Sequence, residues 1–202
     1  MESVDPRTLE TVRRLLQRLG KVHPQVYWHS KRVAVVMREA ATRLDLSSEE
    51  RCRWVFGALL HGVGKLALPA RLLTTPRSLT SGERARVQKH VHYGLLLLDR
   101  ALGVPRARAF APFVFLHHER PDGNGYPLGL VGEQIPRGVL FLSVADAYVA
   151  MREYRPYRIP RTHDEAMDEL FRHRERQFDP AVLEYMAPVL EDFRDRVFRR
   201  AA

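Results

Sequence analysis

The sequence predicts an all-α fold, a single helical bundle of about seven to eight helices built as one domain over residues 1–202. Two observations carry that expectation. Helix-opening signals recur along the chain at Asp5-Pro6, Ser47 with Glu50, Thr80 with Glu83, Thr162 with Glu165, and Asp179-Pro180. In each, a short polar side chain can accept from free backbone N–H groups, with Glu three residues on or Pro in the first turn. The residues between these signals read as helix, and no stretch of convincing length alternates as a strand does. A chain of 202 residues is long enough to bury one sizeable core.

The elements follow in order. Asp5-Pro6 caps a helix running through Leu16, and a second starts near Tyr27 and runs past Val36 to about Leu44. Ser47 and Glu50 open a third through Trp54 to Leu60. Thr80 and Glu83 open a long fourth helix to about Leu102, and Pro105 starts a fifth that ends at His117-His118. Residues 120–137 are a loop rich in Gly and Pro, followed by a helix over about 138–152. Thr162 with Glu165 caps the next helix, and Asp179-Pro180 opens the last. No internal repeat, low-complexity tract or linker interrupts this order, and no attached receiver or sensor domain is expected.

Composition excludes several classes. The hydrophobic share is 45%, ordinary for a globular chain. No apolar run approaches the roughly 20 residues of a membrane span. Met1-Glu2-Ser3-Val4-Asp5 has neither the basic nor the apolar region of a signal peptide. Cys52 is the single cysteine, which excludes an internal disulfide and a Cys-based zinc cluster. A reducing, cytoplasmic location is the expectation. The net charge is +9, and of 33 basic residues only Lys21, Lys31, Lys65 and Lys89 are lysines. Arginine suits phosphate, but a general preference for arginine on solvated helix faces explains the scatter at least as well. No basic patch interleaved with aromatics appears, so nucleic acid is not the expected partner.

The chemistry concentrates in His117-His118-Glu119-Arg120-Pro121-Asp122-Gly123-Asn124-Gly125-Tyr126-Pro127. Adjacent imidazoles are poor core residues and good metal ligands. Gly123 and Gly125 let backbone approach a ligand closely. Further histidines and one aspartate stand out on other predicted helices: His29, His61, His90 and Asp146. A single histidine on an apolar face is more often a hydrogen-bonded core residue, but here order and spacing agree with a pattern. The segment 117–127 resembles the HHE-x-x-DG-x-GYP signature of HD-GYP domains, metal-dependent phosphodiesterases of bacterial cyclic di-GMP signalling. His29 to Val33 resembles that family's H-x-x-R-V helix, and Gly57 to Lys65 its A-L-L-H-D-I-G-K segment. His90 to Gly94 matches H-x-x-x-G, and Asp146 to Arg158 resembles D-x-Y-D-A followed by R-P-Y-R. The resemblance covers about residues 6–190 and implies an HD-domain helical bundle.

It also implies a site. His29, His61 and Asp146 would hold one divalent transition metal, Fe or Mn, and His90, His117 and His118 a second. Two such metals roughly 3.5–4 Å apart can neutralise a phosphodiester and acidify a bound water. Some members hold a third metal through a Glu four residues before the first His; Gln25 stands there, so two metals are the expected maximum. Lys65 would contact phosphate, as a catalytic and substrate-binding residue; the alternative is a solvated lysine at a helix C-terminus. Tyr126 would stack on a base or support its loop, and Arg155 and Arg158 would grip phosphate or guanine; the alternative is helix termination at Pro156 with solvated arginines. Gly123, Gly125, Tyr126 and Pro127 also read simply as a structural turn, and in the family this loop is linked to diguanylate-cyclase partners. His92 is expected to point away from the site, and His23, His163 and His173 are expected at the surface or in caps.

Two departures matter. The family's His-Asp pair reads His61-Gly62, removing the carboxylate that bridges both metals, and the second Asp of D-x-Y-D reads Val149. A left-handed backbone at Gly62 would oppose an Asp there by about 1 kcal/mol. Two functions follow from the resemblance: a phosphodiesterase hydrolysing cyclic di-GMP to pGpG or GMP, or a catalytically silent module that binds cyclic di-GMP or a signalling protein.

Overall fold

The computed structural model describes residues 5–154 and 159–195, and these are all-α. The chain runs through α1 (Pro6–Val22), α2 (Pro24–Arg43), α3 (Ser48–Leu60), a 3-10 turn (Val63–Ala67), α4 (Ala70–Thr74), α5 (Ser81–Gln88) and α6 (His90–Leu102). It continues through α7 (Val104–Ala107), α8 (Ala111–Phe115), a second 3-10 turn (Gly132–Gln134), α9 (Arg137–Arg152), α10 (His163–Arg172) and α11 (Pro180–Glu191).

The caps form as the sequence indicates. Asp5 accepts from the Arg7 N–H at 2.9 Å with Pro6 behind it, and the Thr80–Glu83 and Thr162–Glu165 pairs close as reciprocal capping boxes. Helix α1 runs on to Val22 because Leu19 extends the buried stripe of Val12 and Leu15.

Two expected helices are each broken and α4 is an added short segment that the sequence analysis did not place, which together raise the count from eight to eleven α-helical segments among the described residues. The fourth pauses at Lys89, where the His90 ring donates from Nδ1 to the Val87 carbonyl at 2.8 Å. The fifth splits around Arg108–Phe110, before Pro112, whose missing N–H cannot bond the Arg108 carbonyl. Gly103, at φ 76°, supplies the left-handed residue that ends α6.

Two apolar clusters hold the bundle. The larger joins α2, α9, α10 and α11, with Met37, Phe141, Leu142, Leu170, Leu183 and Met186 fully or almost fully buried, and takes in Trp54 and Phe113. The smaller joins Val12 and Leu15 to Leu60, Val63, Leu98, Phe110 and Val114. Site residues sit beside these clusters: His61 caps the end of α3 after Leu60 of the smaller, and Asp146 follows Ala145 of the larger within α9.

One approach is unusually close. A Cβ on Gly64 would lie 1.9 Å from the His90 carbonyl oxygen and 2.5 Å from the Gly94 nitrogen, so the 3-10 turn rests directly on the backbone of α6. Gly64→Ala should therefore destabilise the fold by about 3 kcal/mol or more, because backbone cannot move aside as a side chain can. The urea midpoint, at unchanged slope, measures this. A loss under about 0.5 kcal/mol, the ordinary scatter of surface changes, would mean the contact is dispensable.

Candidate metal centre

His29 lies buried on α2 and donates from Nε2 to Asp146 at 2.7 Å and from Nδ1 to Glu153 at 2.9 Å. Burial opposes charge on this ring, but the two carboxylates outweigh it and raise its pKa. Burial pushes both carboxyl groups up; His29 bonded to each, with Arg32 beside Glu153, reverses that and holds both below their ordinary range.

Three other histidines share one device. His61 donates from Nδ1 to the Ala58 carbonyl at 2.6 Å, His90 to Val87 at 2.8 Å, and His117 to Val114 at 3.2 Å. Each bond reaches back three residues at a helix end. A carbonyl only accepts, so the proton sits on Nδ1 and a neutral ring presents an unprotonated Nε2. Burial is the largest cause holding these rings neutral, and it lowers His61 to about 4 and His90 to about 2, with the charge of Lys65 adding at both. His117 falls well below its ordinary value, chiefly by burial, and His118 falls to about 3 for the same reason, again with help from Lys65.

The resulting geometry suits cations. His29, His61 and Asp146 offer ligand atoms within 4.8 Å of one another, and so do His90, His117 and His118; these are the two such groups among the described residues. The Nε2 atoms of His90 and His117 face each other at 3.3 Å, although both are acceptors in the neutral tautomers just described. His61 Nε2 is buried with no hydrogen-bond partner, 3.9 Å from Asp146 Oδ1. Opposed lone pairs and an orphaned buried nitrogen are costly by themselves and would be satisfied by a metal. The groups adjoin through His61 and His117, whose rings are 5.1 Å apart. The residues present therefore fit a divalent metal centre.

The loop after His118 is tied down from inside. Glu119 is almost fully buried and accepts from the Leu128 and Leu130 N–H groups at 2.6 and 3.0 Å. A Cβ on Gly125 would lie 2.4 Å from the Arg120 nitrogen, and Gly123 has φ 74°, so both positions require glycine. Tyr126, before Pro127, stacks on His118 with centroids 4.7 Å apart.

The structure thus brings together His29, His61, Asp146, His90, His117 and His118, with the Lys65 charge beside both groups and Tyr126 against one. Arg155 and Arg158 lie outside the described residues. His92 is exposed, packed edge-on to Phe115. His173 ends α10 with its side chain 40% exposed, as expected. His23 does link α1 and α2 as a cap, but it is buried; His163 starts α10, also buried, and bonds the Tyr148 hydroxyl at 2.9 Å.

One expectation about the departures needs correction. Gly62 is not left-handed: its φ is −88° and ψ 0°, open to any residue. What crowds it is Val26, whose Cγ1 would be 2.9 Å from a new Cβ. Val149, three residues after Asp146 on α9, is fully buried and packs into the larger apolar cluster. Glu153, Arg32 and Glu119 are the residues that sequence reasoning left without a role. Glu153 lies seven residues after Asp146, as the residue that caps the end of α9, and Arg32 is the Arg of the H-x-x-R-V segment.

Comparison with known proteins agrees with this geometry. A family model described as an HD domain matches residues 13–182. The chain is 36% identical over 180 residues to the cyclic di-GMP phosphodiesterase response regulator RpfG of Xanthomonas campestris pv. campestris, covering 89% of this chain and 47% of that protein. It is 32% identical to a cyclic di-GMP phosphodiesterase of Thermotoga maritima, covering 87% and 47%, and 33% identical to the 3'3'-cGAMP-specific phosphodiesterase 2 of Vibrio cholerae, covering 82% and 31%. It thus spans about half the length, or less, of these curated relatives. Among solved structures, the PgpH HD domain of L. monocytogenes, in complex with cyclic-di-AMP, superposes with a TM-score of 0.65 at 13% identity, covering 94% of this chain and 99% of that one. The protein Bd1817 of Bdellovibrio bacteriovorus gives 0.64 at 19% identity, covering 81% and 51%. These likenesses concern the fold.

Proposed function

This chain belongs to the HD domain family and carries the HD-GYP signature, and from that premise we propose that it is a metal-dependent phosphodiesterase of 3',3'-cyclic dinucleotides, cyclic di-GMP first. The observation that carries the reading is the pair of imidazole acceptors His90 and His117 facing each other at 3.3 Å beside the orphaned Nε2 of His61. Two Fe or Mn ions held by His29, His61 and Asp146, and by His90, His117 and His118, would supply charge neutralisation and an acidified water. The chain's own residues do the rest. Lys65, whose charge reaches His61, His90 and His118, holds a phosphate oxygen. Tyr126, flat against His118, presents a face to a purine, and Glu119 fixes the loop that carries it. Arg155 and Arg158 add phosphate or guanine contacts. The product is pGpG or GMP, the setting is the cytoplasm, and the loop 123–127 meets a diguanylate-cyclase-type partner. None of the described helices is long and apolar enough to cross a membrane.

A second reading is favoured by Gly62 and Val149. With both acids gone, Asp146 is the single carboxylate among the six candidate ligands, and the chain would bind the dinucleotide or a signalling protein without hydrolysing it.

The test has two steps. Elemental analysis after loading with Fe(II) or Mn(II) should find at least one equivalent per folded chain; less than about a tenth of an equivalent, far under the affinity of such donor sets, sinks the metal centre. Loaded protein is then given cyclic di-GMP and 3'3'-cGAMP. Turnover marks the enzyme, and calorimetric binding without turnover marks the silent module. Lys65→Gln should weaken binding by roughly tenfold or more, the worth of a charge-assisted phosphate bond. Unchanged affinity would remove Lys65 from the nucleotide site.

A further inference from the structure

We propose that Glu153 is a positioning residue of the metal centre, an anionic anchor that orients His29 and supplies a negative charge in place of those missing at Gly62 and Val149. The inference rests on the metal-centre reading above and concerns a residue outside the two ligand groups.

The geometry is specific to α9. Asp146 and Val149 stand at i and i+3 of α9, and Glu153, at i+7, is the residue that caps the end of the helix with extended backbone. Its two acids take opposite nitrogens of one ring: Asp146 meets His29 Nε2 at 2.7 Å and Glu153 meets Nδ1 at 2.9 Å. Val149 between them carries no charge and packs into the apolar cluster. Helix α2 completes the arrangement. Arg32, three residues after His29 and on the same face, donates to the other Glu153 oxygen at 2.8 Å. Glu153 is only 6% exposed, so its carboxylate is kept charged in a desolvated place by two fixed donors.

The other Nδ1-anchored histidines show why this matters. His61, His90 and His117 each lean on a neutral backbone carbonyl. His29 alone has a carboxylate behind it. A carboxylate holds the proton on Nδ1, so that a metal displacing the Nε2 proton now shared with Asp146 would meet the Nε2 electron pair, and it makes the ring a stronger donor. The first group also has glycine rather than an acid next to His61, so a dication there would meet one carboxylate directly. Glu153 places a second negative charge one imidazole away, on the side where that group is formed. A plain tie between α2 and α9 would need the ion pair with Arg32 but not the contact with His29.

The experiment uses the full chain, with Mn(II) calorimetry and the visible spectrum of the Co(II)-loaded form. Glu153→Ala should weaken one class of metal site by roughly 10- to 100-fold, the usual effect of losing such a partner, and leave the other class unchanged. Glu153→Gln keeps an acceptor oxygen without the charge and should fall in between. In metal-free protein labelled with ¹⁵N at histidine, the Nδ1 proton of His29 should be lost or exchange faster in Glu153→Ala. Should that variant fail to fold, Glu153→Gln carries the test by the same readouts. Variants that keep wild-type affinity for both classes, the same Co(II) spectrum and the same His29 signals would overturn the proposal and leave Glu153 as a tie between helices. Wild-type protein that binds no metal would overturn the metal centre itself, and the role of Glu153 with it; the unmodified chain alone decides that.

Discussion

His117→Ala is expected to remove one metal equivalent and to cut any turnover of cyclic di-GMP by at least about a hundredfold. Losing a group that merely supports a ligand already costs about 10- to 100-fold, so losing a ligand belongs at or above the top of that range. His117 also adjoins the other group, 5.1 Å from the His61 ring, so the damage should spread to the metal nearest it. The metal-free chain should respond differently. There His117 opposes its Nε2 to that of His90 at 3.3 Å, an arrangement of two acceptors that favours no folded state without a cation. The variant should therefore lose little stability without metal, and lose mainly the stabilisation that metal gives. For the wild type, Mn(II) at about 100 times its dissociation constant adds about 2.7 kcal/mol. Thermal melts with and without Mn(II) measure both quantities. If His117→Ala took up metal as the wild type does, the second ligand group would be wrong.

The six candidate ligands were legible because each lies in a short motif whose spacing survives alone in the sequence, from His29-Ser30-Lys31-Arg32 to His117-His118. The helices were legible where a cap marks them, as at Thr80 and Thr162. The breaks at Lys89 and before Pro112 were not, because helical pattern and propensity continue across both, although Pro112 itself was a signal. Glu153 was missed for another reason. Its contact depends on α2 and α9 crossing so that one imidazole meets both Asp146 within α9 and the residue that caps its end, the latter across 124 positions of sequence. Gly62 was misjudged in the same way: glycine after a helix suggests a left-handed cap, yet the chain enters a 3-10 turn there and what constrains the position is Val26.

That finding shapes the expected result of restoring the missing acid. Gly62→Asp combined with Val26→Ala should raise phosphodiesterase turnover at least tenfold over the starting chain, about 1.4 kcal/mol of barrier. The backbone at 62 accepts an aspartate without strain. The single Gly62→Asp change drives its Cβ to 2.9 Å from Val26 Cγ1, and a β-branched side chain has few rotamers with which to yield. It should thus gain activity while losing about 1–3 kcal/mol of stability. Val26→Ala removes the obstruction. Ser30 then helps, because its hydroxyl is buried without a partner and lies 3.4 Å from the new Cβ, in place to donate to the carboxylate. Val149→Asp should act in the opposite sense: it buries a carboxylate in the larger apolar cluster, costs several kcal/mol, and adds no activity. Turnover, Mn(II) affinity and urea midpoints for the four proteins separate these effects. A starting chain that already turns over on the order of once per second or faster would show that the bridging acid is dispensable here. If every variant binds metal and cyclic di-GMP and none hydrolyses it, the loss of Asp at 62 accompanies a deeper change, and the domain acts as a receptor for the dinucleotide.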